Sequence, residues 1–343
     1  MSLTDPQPCT DPADLAFPRT LYRPVAERDA CGTGFVASIA GERRHGILRM
    51  GVEAVINLTH RGAVSADGKT GDGAGVLTQI PHDLFRRELL GMGVRLERDA
   101  DLGVGMIFFP QAPERQRLCR TIIEGTLVRH GIRQFGWRLV PIAPGALGAK
   151  ALATVPRMEQ VLMGRPPGTD DEGYERTLYL ARKEIEEQVR GEGIKDFYIP
   201  SFSHRTLVYK GLFVAPQLPR FYRDLADPLY TTALIVFHQR YSTNTFPTWF
   251  LAQPFRMLGH NGEINTLQGN QNWMYAREKE LHSRVWGTRV DRLRPLLAPG
   301  GSDSANLDNV LEALVLSGRD IRDRKSTRLN SSHIQKSRMP SSA

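Results

Sequence analysis

Only three cysteines, Cys9, Cys31 and Cys119, occur in 343 residues. They are too far apart for a metal-ligand spacing and odd in number for a disulfide framework. A reducing cytoplasm is the simplest setting for such a chain. No apolar run approaches the ~20 residues of a membrane-spanning helix, and the N-terminus lacks the basic-then-apolar order of a secretory signal. No membrane partner is therefore expected. The histidines offer neither HExxH nor any paired ligand spacing, which argues against a catalytic metal. The loop Gly71-Asp72-Gly73-Ala74-Gly75 lacks the Lys-Ser/Thr of a Walker loop. It also precedes a strand, where a dinucleotide fingerprint follows one, so its glycines read as tight turns near a site. No internal repeat is found.

The net charge of +8 suggests nucleic acid until its distribution is read. From Asp323 onward five basic residues stand against one acid, so the rest of the chain carries +4. Those charges interleave in sign, with no basic stripe and no aromatic stacking partners, so nucleic-acid binding is not expected. Residues 323–343 abandon the preceding apolar pattern for serine and basic residues and read as a non-native or disordered tail.

What remains is 41% apolar, enough for one large domain or two ordinary ones. Strands are expected over 31–40, 76–80, 104–109, 137–142, 197–202, 206–209 and 233–238. Helices are expected over 46–60, 114–130, 174–190 and 265–281, the last capped by Asn265, and another after Ser302. Cys119 lies on an apolar helical stripe and reads as buried filler. Residues 143–173, punctuated by proline and glycine, read as an excursion or linker. The alternation implies α with β around one core.

Four groups carry possible chemistry. Cys31 opens Cys31-Gly32-Thr33-Gly34-Phe35 after a leader with five prolines and the charged approach Glu27-Arg28-Asp29. A thiol at that junction suggests a nucleophile whose own freed α-amine serves as base; a small core residue is the plain alternative. His260-Asn261-Gly262-Glu263 offers a side-chain amide and an unhindered backbone N–H, the donors of an oxyanion hole. A type I′ hairpin turn is its competitor, weakened because a helix start follows instead of a second strand. His260 itself reads as part of the preceding strand. Arg240 follows the apolar run 233–237, where its fork suits a carboxylate, against a surface ion pair. Asp303, in Gly300-Gly301-Ser302-Asp303-Ser304, is either a helix cap or the receiver of a substrate ammonium.

In chain order these groups, with His60-Arg61-Gly62 and Gly71-Asp72-Gly73-Ala74-Gly75, resemble the class II glutamine amidotransferases. The wording Tyr241-Ser242-Thr243-Asn244-Thr245-Phe246-Pro247-Thr248-Trp249 and Ser302-Asp303-Ser304-Ala305-Asn306-Leu307-Asp308-Asn309 is similar to the glutaminase domains of glutamate synthase large subunits, over roughly residues 20 to 320. The resemblance implies an N-terminal-nucleophile hydrolase fold, a four-layered αββα sandwich. It implies a propeptide of residues 1–30, an amidotransferase domain over 31–320, and Cys31 as the nucleophile on L-glutamine. Asn261 and Gly262 hold the oxyanion, Arg240 the α-carboxylate and Asp303 the α-ammonium, with Arg61 near the nucleophile. It further implies ammonia transfer to 2-oxoglutarate in a synthase domain carrying FMN and an iron–sulfur cluster, and a small electron-transfer subunit. Neither that domain nor its cysteine cluster is in this sequence. Two rivals stand: another N-terminal-nucleophile amidohydrolase, and a module that senses glutamine without hydrolysing it.

Overall fold

The computed structural model describes residues 32–240, 246–262, 264 and 266–320, all within one unit that begins at Gly32. Cys31, Asn265 and the 323–343 tail lie outside the described residues. The chain runs β1 (Thr33–Ala37), α1 (His45–Asn57), β2 (Ala74–Gln79), α2 (His82–Gly91), β3 (Leu102–Phe109), α3 (Pro113–Arg129), β4 (Arg133–Leu139), α4 (Ala149–Ala153) and β5 (Arg157–Gly164). It continues through α5 (Asp171–Gly191), β6 (Tyr198–Ser203), β7 (Thr206–Gly211), α6 (Leu218–Phe221), β8 (Leu234–Gln239), α7 (Leu267–Glu278) and α8 (Asp303–Leu316).

Eight strands form two four-stranded sheets among the described residues, in the orders β1-β8-β2-β7 and β4-β5-β3-β6. Every neighbouring pair is antiparallel. All eight residues of β3 are buried, because both of its faces are covered. Val104, Met106 and Phe108 join a core shared with Val76, Leu207, Tyr209 and Phe237 of the first sheet. The alternate residues Ile107 and Phe109 face α3 and α5 through Cys119, Ile123, Leu178 and Ile185. This is the α+β organisation of two antiparallel sheets with packed helices that the resemblance implied.

Local chemistry explains the long helices. α5 starts at Asp170, whose carboxylate accepts from Gly173 N at 2.6 Å. Its buried residues Tyr174, Leu178, Ala181, Ile185 and Val189 repeat at helical spacing. α3 has proline at its first turn and stops before Gly131, which takes φ 65°.

Four expectations are corrected. Residues 143–173 are not a linker: they contain β5, the strand between β3 and β4. Pro156 and Pro166 mask its ends, and Glu159 and Gln160 break its apolar run, yet both are buried. Long-range partners satisfy them. Arg120 pairs with Glu159, Arg138 donates to Gln160 Oε1 at 2.9 Å, and Gln160 donates to Tyr209 Oη at 3.0 Å. The strand expected at 137–142 lies at 133–139, with a register shift between Gln134 and Gly136. The helix expected from a cap at Asn265 is shorter, running from Leu267 to Glu278 after Thr266 at φ 56°. His260 lies in irregular chain, outside any strand.

A buried polar anchor ties α8 to the segment that leads into Asn261. Asp308 is fully buried and accepts from the backbone N–H groups of Met257 at 2.8 Å, Leu258 at 3.1 Å and Arg256 at 3.2 Å. Arg256 in turn pairs with Glu312 at 3.0 Å. Removing the carboxylate strands several buried donors. Asp308→Ala is expected to lose about 3 kcal/mol of stability in denaturant titration, and Asp308→Asn, which keeps one acceptor, clearly less.

Candidate active site

The site forms where β8 ends. Opposite it, the β1 register places Thr33 against His238, and Gln239 N donates to Gly32 O at 2.7 Å. Gly32 directly follows Cys31 in sequence. A Cβ on Gly32 would stand 2.7 Å from Gln239 O and 3.1 Å from Asn261 Oδ1. Glycine is thus required there, and the Asn261 carboxamide lies directly against the residue after the proposed nucleophile.

Asn261 owes its place to long-range hydrogen bonds. His260 N donates to Gln253 Oε1 at 2.8 Å, and Gln253 Nε2 returns a bond to His260 O at 2.9 Å. The buried ring of His238 stands between two backbone carbonyls, with Nε2 at 3.2 Å from His260 O and Nδ1 at 3.2 Å from Arg240 O. Burial lowers the pKa of His238 to about 4, outweighing the pull of those carbonyls toward the charged form. The imidazole is therefore neutral at pH 7 and donates to one carbonyl at a time. It still ties the segment leading into Asn261 to the Arg240 segment. Among the described residues no second strand of a hairpin follows Asn261-Gly262; α7 begins at Leu267.

Arg240 is exposed, and its N–H donates to Gly73 O at 2.8 Å. Its φ of 146° lies in a region that side chains rarely adopt. Such strain concentrates at functional positions. Asp303 is 2% exposed at the start of α8. The cap is Ser302, whose hydroxyl accepts from Ala305 N at 3.1 Å, which leaves the Asp303 carboxylate for other work. Asp303 accepts from Ile264 N at 3.1 Å, and from Ser304 N at 2.5 Å and Oγ at 3.1 Å. Ser304 Oγ is 2.9 Å from His260 Nδ1, so a continuous chain of polar contacts links Asp303 to the residue before Asn261. Arg61 sits in a single-turn helix, Thr59–Arg61, with its Nε buried and unpaired among the described residues.

Gly32, Arg240, Asn261, Gly262 and Asp303 thus belong to one connected arrangement. Gln253, Asp308 and Ser304 support it without having been singled out from sequence. The only local hint was that Ser304 and Asp308 fall within the wording Ser302–Asn309. The model of the class II glutamine amidotransferases matches residues 31–338, beginning at Cys31 itself. The chain belongs to that family. Among curated relatives, the glutamate synthase (NADPH) large chain of Azospirillum brasilense is 48% identical over 299 residues, covering 87% of this chain and 20% of that protein. The ferredoxin-dependent glutamate synthase 2 of Synechocystis sp. is 44% identical over 296 residues, covering 86% and 19%. The glutamate synthase (NADPH) large chain of Bacillus subtilis is 43% identical over 300 residues, covering 87% and 20%. The chain spans about a fifth of the length of these relatives.

Proposed function

We propose that the chain is the glutaminase part of a glutamate synthase. The observation that carries this reading is the placement of the Asn261 carboxamide against Gly32, beside the residue that supplies the thiol. Arg240 forks onto the α-carboxylate of glutamine and Asp303 receives its α-ammonium. The Cys31 sulfur attacks the side-chain amide carbon, and the tetrahedral oxyanion forms against Asn261 Nδ2 and the Gly262 N–H. The α-amine of Cys31 takes the thiol proton and passes it to the departing nitrogen as the C–N bond breaks. Ammonia leaves, and a glutamyl thioester remains. Water then adds to the thioester, the thiol is regenerated, and glutamate is released.

This chemistry needs a free amine at residue 31, so residues 1–30 act as a propeptide cut at Ala30–Cys31. Ammonia passes to a synthase domain in the remainder of the protein for addition to 2-oxoglutarate. That domain, a small electron-transfer subunit and a cytoplasmic location complete the proposal. FMN and an iron–sulfur cluster belong to that remainder. Three scattered cysteines do not supply a cluster, and no metal-binding group of His, Cys, Asp or Glu occurs among the described residues.

The test is the intact mass of the purified chain before and during incubation with glutamine. The expected result is a mature N-terminus at Cys31 and an acid-trapped glutamyl adduct on it. A fully active chain that keeps residues 1–30 overturns the α-amine mechanism.

A further inference from the structure

Asp72, in the glycine-rich loop before β2, is 6% exposed, and neither carboxylate oxygen has a hydrogen-bond partner among the described residues. Burying an ionised carboxylate in that state is strongly unfavourable. An unpaired donor, Gln239 Nε2, lies close by. A Cβ on Gly62 would stand 3.1 Å from Asp72 Oδ1 and collide with Gln239 Nε2. That Nε2 and Arg61 Nε are both buried donors without partners among the described residues. One step along the chain from Asp72, Gly73 O accepts the Arg240 N–H at 2.8 Å. Both residues at this contact depart from ordinary strand geometry, Gly73 at φ 139° and Arg240 at φ 146°.

Burial pushes the Asp72 carboxyl above the usual carboxylate range, against the polarity of the Ala63 and Asp72 backbone amides and the charge of Arg240. The Gln239 amide is neutral and cannot balance the carboxylate. The Arg240 guanidinium can, and it has donors to spare, because its five N–H groups allow one edge to meet Asp72 while the other forks outward.

We propose that Asp72 is a positioning residue whose carboxylate receives the Arg240 guanidinium and fixes the arginine fork for the α-carboxylate of the substrate. The proposal rests on the reading of Arg240 as the carboxylate clamp. Holding the arginine in advance lowers the side-chain entropy lost on binding. Arg61 is the rival cation, and the choice of ligands separates the two.

Wild type and Asp72→Asn are titrated by calorimetry with L-glutamate and with 4-aminobutanoate, the same molecule without the α-carboxylate; melting temperatures are taken in parallel. Neither ligand depends on turnover. Wild type is expected to prefer glutamate strongly. In Asp72→Asn that preference falls at least tenfold through weaker glutamate binding, while 4-aminobutanoate binds as before and the melting temperature does not fall. In Arg240→Lys, adding Asp72→Asn brings little further loss, because the two act as one unit. An undiminished glutamate preference in Asp72→Asn overturns the proposal, as does equal weakening of both ligands, which points to packing or to Arg61. A wild-type chain with no glutamate preference overturns the clamp reading itself and this proposal with it.

Discussion

Cys31→Ala leaves a folded chain whose release of ammonia from glutamine falls by ~10⁴-fold or more, to the rate of an enzyme without its nucleophile. No other thiol in the described residues takes over. Cys119 is fully buried in the α3 core, and burial raises its thiol pKa to about 12, so it carries essentially no thiolate at neutral pH. The loss is expected in kcat. Arg240 and Asp303, the proposed clamps for the α-carboxylate and α-ammonium of glutamine, are untouched, so glutamine is expected still to bind. Folding is expected to survive because the core clusters draw their residues from Ile47 onward. Ammonia release and melting temperature, measured on the same preparation, check both halves of the expectation. Undiminished ammonia release by Cys31→Ala would sink the nucleophile assignment.

Asn261→Ala has the second largest expected effect, a fall in kcat of about 10² to 10³-fold with KM for glutamine little changed. The ground-state amide needs no second donor, whereas the developing oxyanion does, so the loss falls on the transition state. The segment itself stays in place. His260 keeps its paired bonds to Gln253 at 2.8 and 2.9 Å, and Met257 and Leu258 keep theirs to Asp308 at 2.8 and 3.1 Å. Steady-state kinetics distinguish the outcomes. A raised KM with unchanged kcat would show that Asn261 binds substrate and does not hold the oxyanion.

The elements whose burial follows a regular apolar pattern were legible in the sequence. The buried stripe of α5 repeats every three to four residues, and β3 is an unbroken apolar run, so periodicity sufficed. β5 was not legible, because Glu159 and Gln160 look wrong for a buried strand until Arg120, Arg138 and Tyr209 are brought to them. The same holds at the site. Arg240 after an apolar run and Asn261-Gly262 before a helix are local patterns. His238 as a tie between two carbonyls is not, nor is Asp72 as an unpaired buried carboxylate, since both depend on which strands become neighbours.

The sequence by itself determined the chemistry available: one thiol after a proline-rich stretch, an amide beside an unhindered N–H, an arginine at a strand end and a carboxylate at a helix start. Side-chain type and short-range spacing suffice for that. Only the tertiary structure decided how those groups are held. The contacts that hold them range from local, Gln253 against His260, to those that bridge most of the described chain, Gly32 against Asn261. Asp308 against the segment leading into Asn261 is one such contact, and His238 between that segment and Arg240 is another. The long-range contacts exist only once antiparallel pairing of β1, β2 and β8 has closed the intervening loops.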